Sequence, residues 1–378
     1  MKKLICIFIA FSLLLCSFSS FAAEKKTDEV YNAASKQLLS CPVPQVGSIG
    51  GEWLVIGLAR AEIMPEDTAD GYYKNVVAYV TEKGSAKLDR NKSTENSRVV
   101  LALTAIGKNP EDVGGYNLLQ PLADFNFVKK QGINGPVWAL IALDSLLYEI
   151  PDTTAKEQTT REKLIDYILE KQLQTGGWAI GEQGADPDMT GMAIQALAPY
   201  YEKNQAVKQA VDSALSFFSS IQRDDGGLSE ATDSPESCAQ MITALSTMGI
   251  DPEDDARFIK NGNSIVDCLL RFSLENGFAH NINGEYNQMS TEQAFYSMTA
   301  INRLRSGKSS LYDMCDLLRE YDVNLDGKVD ITDATLAQKA IAELETLSLR
   351  QLKIAKADSS GKVNVTFVTD TQRYIAAY

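Results

Sequence analysis

Gln172-Leu173-Gln174-Thr175-Gly176-Gly177-Trp178 decides the fold, because it comes back. Gln222-Arg223-Asp224-Asp225-Gly226-Gly227-Leu228 stands fifty residues on, and Leu274-Glu275-Asn276-Gly277-Phe278 fifty beyond that. Each of Gly177, Gly227 and Gly277 follows a helical run, precedes a large apolar residue and leads into a loop. A second helix then opens on Thr190, Ser237 or Thr291 and runs toward an alanine-rich end. The same helix is found upstream in Glu52-Trp53-Leu54-Val55-Ile56-Gly57-Leu58-Ala59, in the run 94–103 and in 135–143. A spacing of roughly 40–55 residues marks stacked supersecondary units. Ala, Gly, Ser and Thr on these helices let them pack closely on all sides. The runs 161–173 and 207–221 carry apolar residues at i, i+3, i+4 spacing, as helices with one buried face do. The expected fold is all-α: an α/α toroid of about six helical hairpins, the small-residue helices inside and the amphipathic ones outside.

The Gln-x-x-x-Gly-Gly-Trp phrase resembles the repeat of terpenoid cyclases of the squalene-cyclase type and of protein prenyltransferases, over roughly residues 30–305. The resemblance implies the fold, and in those families Trp178 would be a structural clamp. Toroids host unrelated activities, so it does not fix the chemistry. Class II terpene cyclases use an Asp-x-Asp-Asp acid; here Asp186-Pro187-Asp188-Met189 lacks the third carboxyl. With 8% aromatic residues, the chain looks poor in groups that stabilise carbocations. Zinc of the prenyltransferase kind lacks its Asp-x-Cys before His280, and a thioester would need a cysteine ahead of Gly181-Glu182-Gln183.

A second motif lies near the C-terminus. Asp322, Asn324, Asp326, Asp330 and Asp333 occupy positions 1, 3, 5, 9 and 12 of a loop with Gly327 at position 6, and Lys328 can offer its carbonyl. This alternation suits calcium, a hard cation that takes ~6–8 oxygen ligands. The pattern returns 34 residues on as Asp358, Ser360, Lys362 and Asn364. There Lys356 and Phe367 replace the end acids, so this loop is expected to bind weakly or not at all, its fold kept by Val363, Val365 and Val368. Two such loops, each followed by a helix, resemble a type I dockerin over residues 307–378. That resemblance implies calcium as cofactor and a cohesin domain of a scaffolding protein as partner. The contacts would be Ile331, Thr332, Gln338, Lys339, Val365, Thr366, Gln372 and Arg373.

Residues 1–22 read as a signal peptide: Lys2-Lys3, an apolar run from Leu4 to Leu15, and Ser20-Phe21-Ala22 as cleavage site. The toroid is then expected over 23–306, with Ser306-Gly307-Lys308-Ser309-Ser310 as linker. A net charge of −14 without clustered Lys and Arg argues against nucleic acid. No membrane insertion is expected of the mature chain. Cys41, Cys238, Cys268 and Cys315 leave three pairings open, and their place in helical patterns favours buried thiols.

Loops entering the inner helices should line one mouth of the ring. Acids placed there include Glu52, Glu95, Glu182, Asp233 and Glu236, with Asp186, Asp188 and Glu292 the catalytic candidates, while Trp53 and Tyr286 could stack on a flat ligand. Taken together, the motifs suggest a secreted, extracellular component of cellulosome type, held on a cell-surface or free scaffold. Its toroid would bind a ligand or protein in plant polysaccharide degradation. The alternatives are a glycoside hydrolase or polysaccharide lyase with paired carboxylates, and a cobalamin-carrier-like binder of small molecules.

Overall fold

The computed structural model describes residues 27–181, 184–228 and 233–377. The signal-peptide reading of 1–22 and the acid Glu182 lie outside the described residues. Six helices form the inner ring: α2 (Trp53–Arg60), α4 (Ser93–Ala105), α6 (Asn134–Asp144), α8 (Pro187–Leu197), α10 (Pro235–Thr247) and α12 (Gln288–Arg305). Each packs on the next, and α12 packs back on α2, which closes the toroid. Around them lie α1 (residues 27–39), α3 (Glu66–Lys83), α5 (Phe125–Val128), α7 (Arg161–Glu170), α9 (Gln205–Ile221) and α11 (Ile265–Leu270).

Burial follows from composition. Almost every residue of α4 and α10 is inaccessible, as an inner position demands. By contrast α9 buries Val207, Ala210, Val211, Ala214, Leu215 and Phe218, one face at helical spacing. N-caps start the helices: Asp186 accepts from the Met189 amide, Ser234 from Ser237 and Asn287 from Ser290.

The repeated glycine phrase is a clamp between layers. Gly176 has φ +95°, and a Cβ there would lie 2.6 Å from the Ser213 carbonyl of α9. Trp178 is fully buried; its amide donates to Thr190 Oγ1 at 3.0 Å and its indole to the Ile168 carbonyl at 2.7 Å. Gln172 donates to the carbonyls of Gly176 and Ala210. The third copy repeats the device, with Phe278 donating to Thr291 Oγ1 and Gly277–Phe278 forming β2 against Ser273–Leu274, β1.

Residues 309–316 do not run free as the linker expected at 306–310 would. They lie across the C-terminal ends of inner helices as a strap. Arg60, at the end of α2, donates to Ser310, Leu311 and Asp313 carbonyls and pairs with Asp316 at 3.0 Å. Arg303, at the end of α12, donates to the carbonyls of Ser309 and Arg60 and pairs with Asp316 at 2.6 Å. Met314 N donates to the Ser145 carbonyl beyond α6. Leu311, Tyr312 and Met314 thereby join the toroid core.

The remaining residues form a smaller core around Val323, Ala334, Leu347, Ile354, Phe367 and Val368. Its helices are α13 (Ile331–Ile341), α14 (Leu349–Ile354) and α15 (Val365–Ala377), with α13 packed on α15. Arg350 ties it to the ring, pairing with Glu111 at 2.7 Å over the Tyr148 ring. In the second loop Phe367 and Val368 are buried and Val363 packs on this core, whereas Val365 is exposed and takes no part in holding the fold.

Replacing Trp178 by Ala removes a fully buried indole and its two hydrogen bonds. Unfolding in denaturant should show a loss of about 3–5 kcal/mol; a loss below about 1 kcal/mol would show that the phrase is not a clamp.

Candidate functional site

All six inner helices begin at the same mouth, and their first turns enclose a cavity of about 340 Å³. Trp53 comes from α2, Thr94 and Arg98 from α4, Asn134 and Trp138 from α6, Asp188 and Met192 from α8, Glu236 and Gln240 from α10, Met289 and Gln293 from α12. A larger depression of about 460 Å³ lies outside the ring between the 174–176 turn and α9. It is wide open and its acid, Asp212, is exposed, which leaves the axial cavity as the candidate site.

Two indoles line the cavity, and two buried tyrosines back them. Trp53 and Trp138 lie 5.0 Å apart between centroids, Tyr296 is 5.8 Å from Trp53, and Tyr312 of the strap meets Trp138 edge-on at 5.8 Å. Gln195 donates to Gln240 Oε1 at 3.0 Å, and Gln240 to the Tyr296 hydroxyl at 2.8 Å. At the opposite end the strap crosses the C-terminal ends of α2, α6 and α12.

The acids divide by what they touch. Glu52 is buried and held by Arg98 at 3.0 Å, the Tyr72 hydroxyl at 3.1 Å and the Gly47 amide; burial still raises its pKa, with Arg98 opposing. Glu95 pairs with Arg98 at 2.7 Å and Asp233 with Arg223 at 2.5 Å. Glu236 accepts from Ser290 Oγ at 2.5 Å and meets His280 Nδ1 at 3.1 Å. Tyr286 turns to Gln288 rather than into the cavity.

The three catalytic candidates are not brought together. Asp186 is an N-cap, its Oδ1 2.8 Å from the Met189 amide. Asp188, two residues on, lines the cavity, and its Oδ1 is buried without a hydrogen-bond partner. Burial pushes its carboxyl above the ordinary value, Ser237 opposing through a hydrogen bond and the charges of Asp186 and Glu236 adding to the rise. Glu292 is fully buried behind the cavity wall. Its Oε1 accepts from the Gly50 amide at 2.9 Å and Gln288 at 2.7 Å, while Oε2 has no partner. Burial is the main cause that pushes its pKa up to about 7.

In the first loop of the C-terminal unit, Asp322 accepts from the amides of Asp326 and Gly327, and Asp333 from those of Asn324 and Asp330. Both carboxylates are buried, and Gly327 has φ +83°. Burial first, then the charges of Asp333 and Asp326, raise the Asp322 pKa. Among the described residues no three His, Cys, Asp or Glu side chains gather closely enough to hold a metal. In the second loop Asp358 bonds the amides of Ser360 and Lys362, while Lys356 pairs with Glu320. Ile331 and Val365 are exposed, as are Thr332, Gln338, Lys339, Thr366, Gln372 and Arg373.

Residues 118–320 match the prenyltransferase alpha-alpha toroid domain, more than half the chain. The chain belongs to this family. Its structure is similar to that of the type II terpene cyclase MstE from Scytonema in the apo form, with TM-score 0.50 and 13% identity over 74% of this chain and 99% of the cyclase. It also matches a protein from Actinoplanes, at TM-score 0.48, 12% identity and the same two coverages. No curated protein matches the chain.

These comparisons overturn the reading as a cohesin-docked cellulosome component in polysaccharide degradation, together with its hydrolase, lyase and cobalamin-carrier alternatives. The ring is of prenyltransferase type and resembles a terpene cyclase, and nothing in the matches points to a carbohydrate polymer. The dockerin resemblance of 307–378 rests on the loop motifs alone. Among the described residues no helix is long and apolar enough to cross a membrane.

Sequence reasoning missed Trp138, Arg98, Gln240, Gln293 and the role of Tyr312. The signal for Trp138 was present, because it sits one turn into its inner helix, as Trp53 sits at the start of α2.

Glu292 gives a pH test. Its folded pKa, near 7, exceeds the ordinary 4.5, so the folded state binds more protons between those values and stability falls as pH rises through that window. Glu292→Gln should remove this fall, gaining about 2–3 kcal/mol relative to wild type on going from pH 4 to pH 8 in chemical unfolding. Parallel curves for the two proteins would refute the assignment.

Proposed function

We propose that the toroid chamber binds a small prenyl-type molecule, its branched apolar body on Trp53 and Trp138, and that Asp188 donates a proton to it. The observation that carries this is the Asp188 carboxyl. It has a buried, unpartnered oxygen and a raised pKa, and it faces an aromatic cavity. A carboxyl whose affinity for its proton is raised by burial, beside aromatic faces, is suited to protonating an alkene, and the faces then stabilise the resulting cation. The volume lies within the ~300–1,000 Å³ of ordinary ligand sites. The similarity of fold to a type II terpene cyclase supports the same reading. Glu236, fixed by Ser290 and His280, adds negative charge at the mouth.

Farnesol and geranylgeraniol should quench the fluorescence of Trp53 and Trp138, and mass spectrometry should find a cyclised or hydrated product. Asp188→Asn should retain binding within about threefold and lower turnover at least 100-fold, the scale of general-acid catalysis. Quenching without product would reduce the site to a binding chamber. The absence of both would refute the proposal.

For the C-terminal unit we infer that the first loop binds calcium through Asp322, Asn324, Asp326, Asp330 and Asp333, with the Lys328 carbonyl. The donor set is all oxygen, as a hard cation requires, and binding would turn the Asp322 and Asp333 carboxylates from the backbone amides they accept from toward the ion. The apolar run and cleavage site within residues 1–22 support export to a calcium-rich exterior. Calorimetric titration should find one calcium per chain, lost in Asp322→Ala/Asp333→Ala and kept in Asp358→Ala. Equal loss in both variants would contradict the assignment to the first loop.

A further inference from the structure

Cys238 lies on inner helix α10 and Cys268 on outer helix α11, at opposite ends of the third clamp's approach. Both are fully buried, and their sulfurs are 3.7 Å apart. This is van der Waals contact between two sulfurs, and a disulfide needs them about 2.05 Å apart. The other described cysteines have different company. Cys41 lies against Gln37 and Gln288, and Cys315 lies within the strap beside Asp313. Of the pairs that these four cysteines could form, the fold therefore brings Cys238 and Cys268 into contact.

We propose that Cys238 and Cys268 are a disulfide pair, closed in oxidising surroundings to cross-link the inner and outer layers of the ring. The span it closes is 30 residues and runs from the first turn of α10 through the connecting loop to the first turn of α11. The reaction is thiol–disulfide exchange with a low-molecular-weight disulfide such as oxidised glutathione. One protein thiolate attacks the glutathione disulfide, forming a mixed disulfide and releasing one glutathione thiolate. The second protein thiolate then attacks the protein sulfur of that mixed disulfide and releases the other glutathione. Two protein thiols are oxidised, one glutathione disulfide is reduced, and the two protons pass to the leaving thiolates. Because both sulfurs are buried in the finished core, exchange belongs to folding, before the layers close. Export, as read from residues 1–22, would place that step in a compartment where disulfides persist.

The test is to unfold and reduce the full chain, refold it in a mixed reduced and oxidised glutathione buffer, and alkylate it after denaturation. Peptide mapping should recover a cross-linked 238–268 peptide, with Cys41 and Cys315 alkylated. The melting temperature should exceed that of chain refolded under reduced glutathione alone by on the order of 5 °C. Cys268→Ser should abolish both the cross-link and the difference, and Cys238→Ala gives the same comparison with a smaller, apolar replacement. Full alkylation of Cys238 and Cys268 after refolding in the oxidising buffer, or a cross-link to Cys41 or Cys315 instead, would overturn the proposal.

Discussion

Closure of the inner ring is the constraint on which the rest of the molecule depends. Each inner helix has two inner neighbours, and α12 must return to α2, so no inner helix can carry a full polar face. Close approach requires small residues at the crossing points. Gly57 of α2 faces Phe295 and Tyr296 of α12, where a Cβ would lie 3.1 Å from the Phe295 ring. Gly191 of α8 would meet the Gln240 carbonyl of α10 at 2.8 Å, and Gly135 of α6 the Val128 carbonyl at 1.9 Å. Dispersion at these contacts and the apolar area removed from water hold the ring; the outer helices shield it.

Closure also creates the chamber. Six helices pointing the same way place six N-terminal ends, with their positive partial charge, around one mouth. Carboxylates there are complementary to that field, which accounts for many of them as structural. At the other end, six C-terminal ends present carbonyls and negative partial charge. Arg60 and Arg303, both nearly inaccessible, meet that need and in turn seat the strap. Tyr312 is thereby brought against Trp138, so a segment remote in sequence backs one of the two indoles that line the cavity.

That assembly also shows what aromatic content alone does not register. Averaged over the chain, aromatic residues are scarce, yet Trp53, Trp138, Tyr296 and Tyr312 converge on the axis. Composition cannot register such convergence, because it arises from ring closure and not from neighbouring positions. The error was to let the C-terminal loop motif choose the function of the whole chain. The toroid's family points elsewhere. Glu292 looked like Asp188 in the sequence, an acid near the start of an inner helix. Its position on α12 turns it behind the wall, while Asp188 faces the cavity.

By itself the sequence determined the helical hairpins, their approximate number, which of each pair is inner, and the clamp at Trp178. Those are matters of local periodicity, side-chain size and a glycine that must take positive φ. Only the tertiary structure decided that residues 309–316 belong to the ring, that Asp188 alone of the three candidate acids meets the cavity, and that Cys238 rather than Cys41 reaches Cys268. Each of those facts depends on the rotation of a helix about its axis and on contacts tens to hundreds of residues apart. A local pattern of residues carries neither.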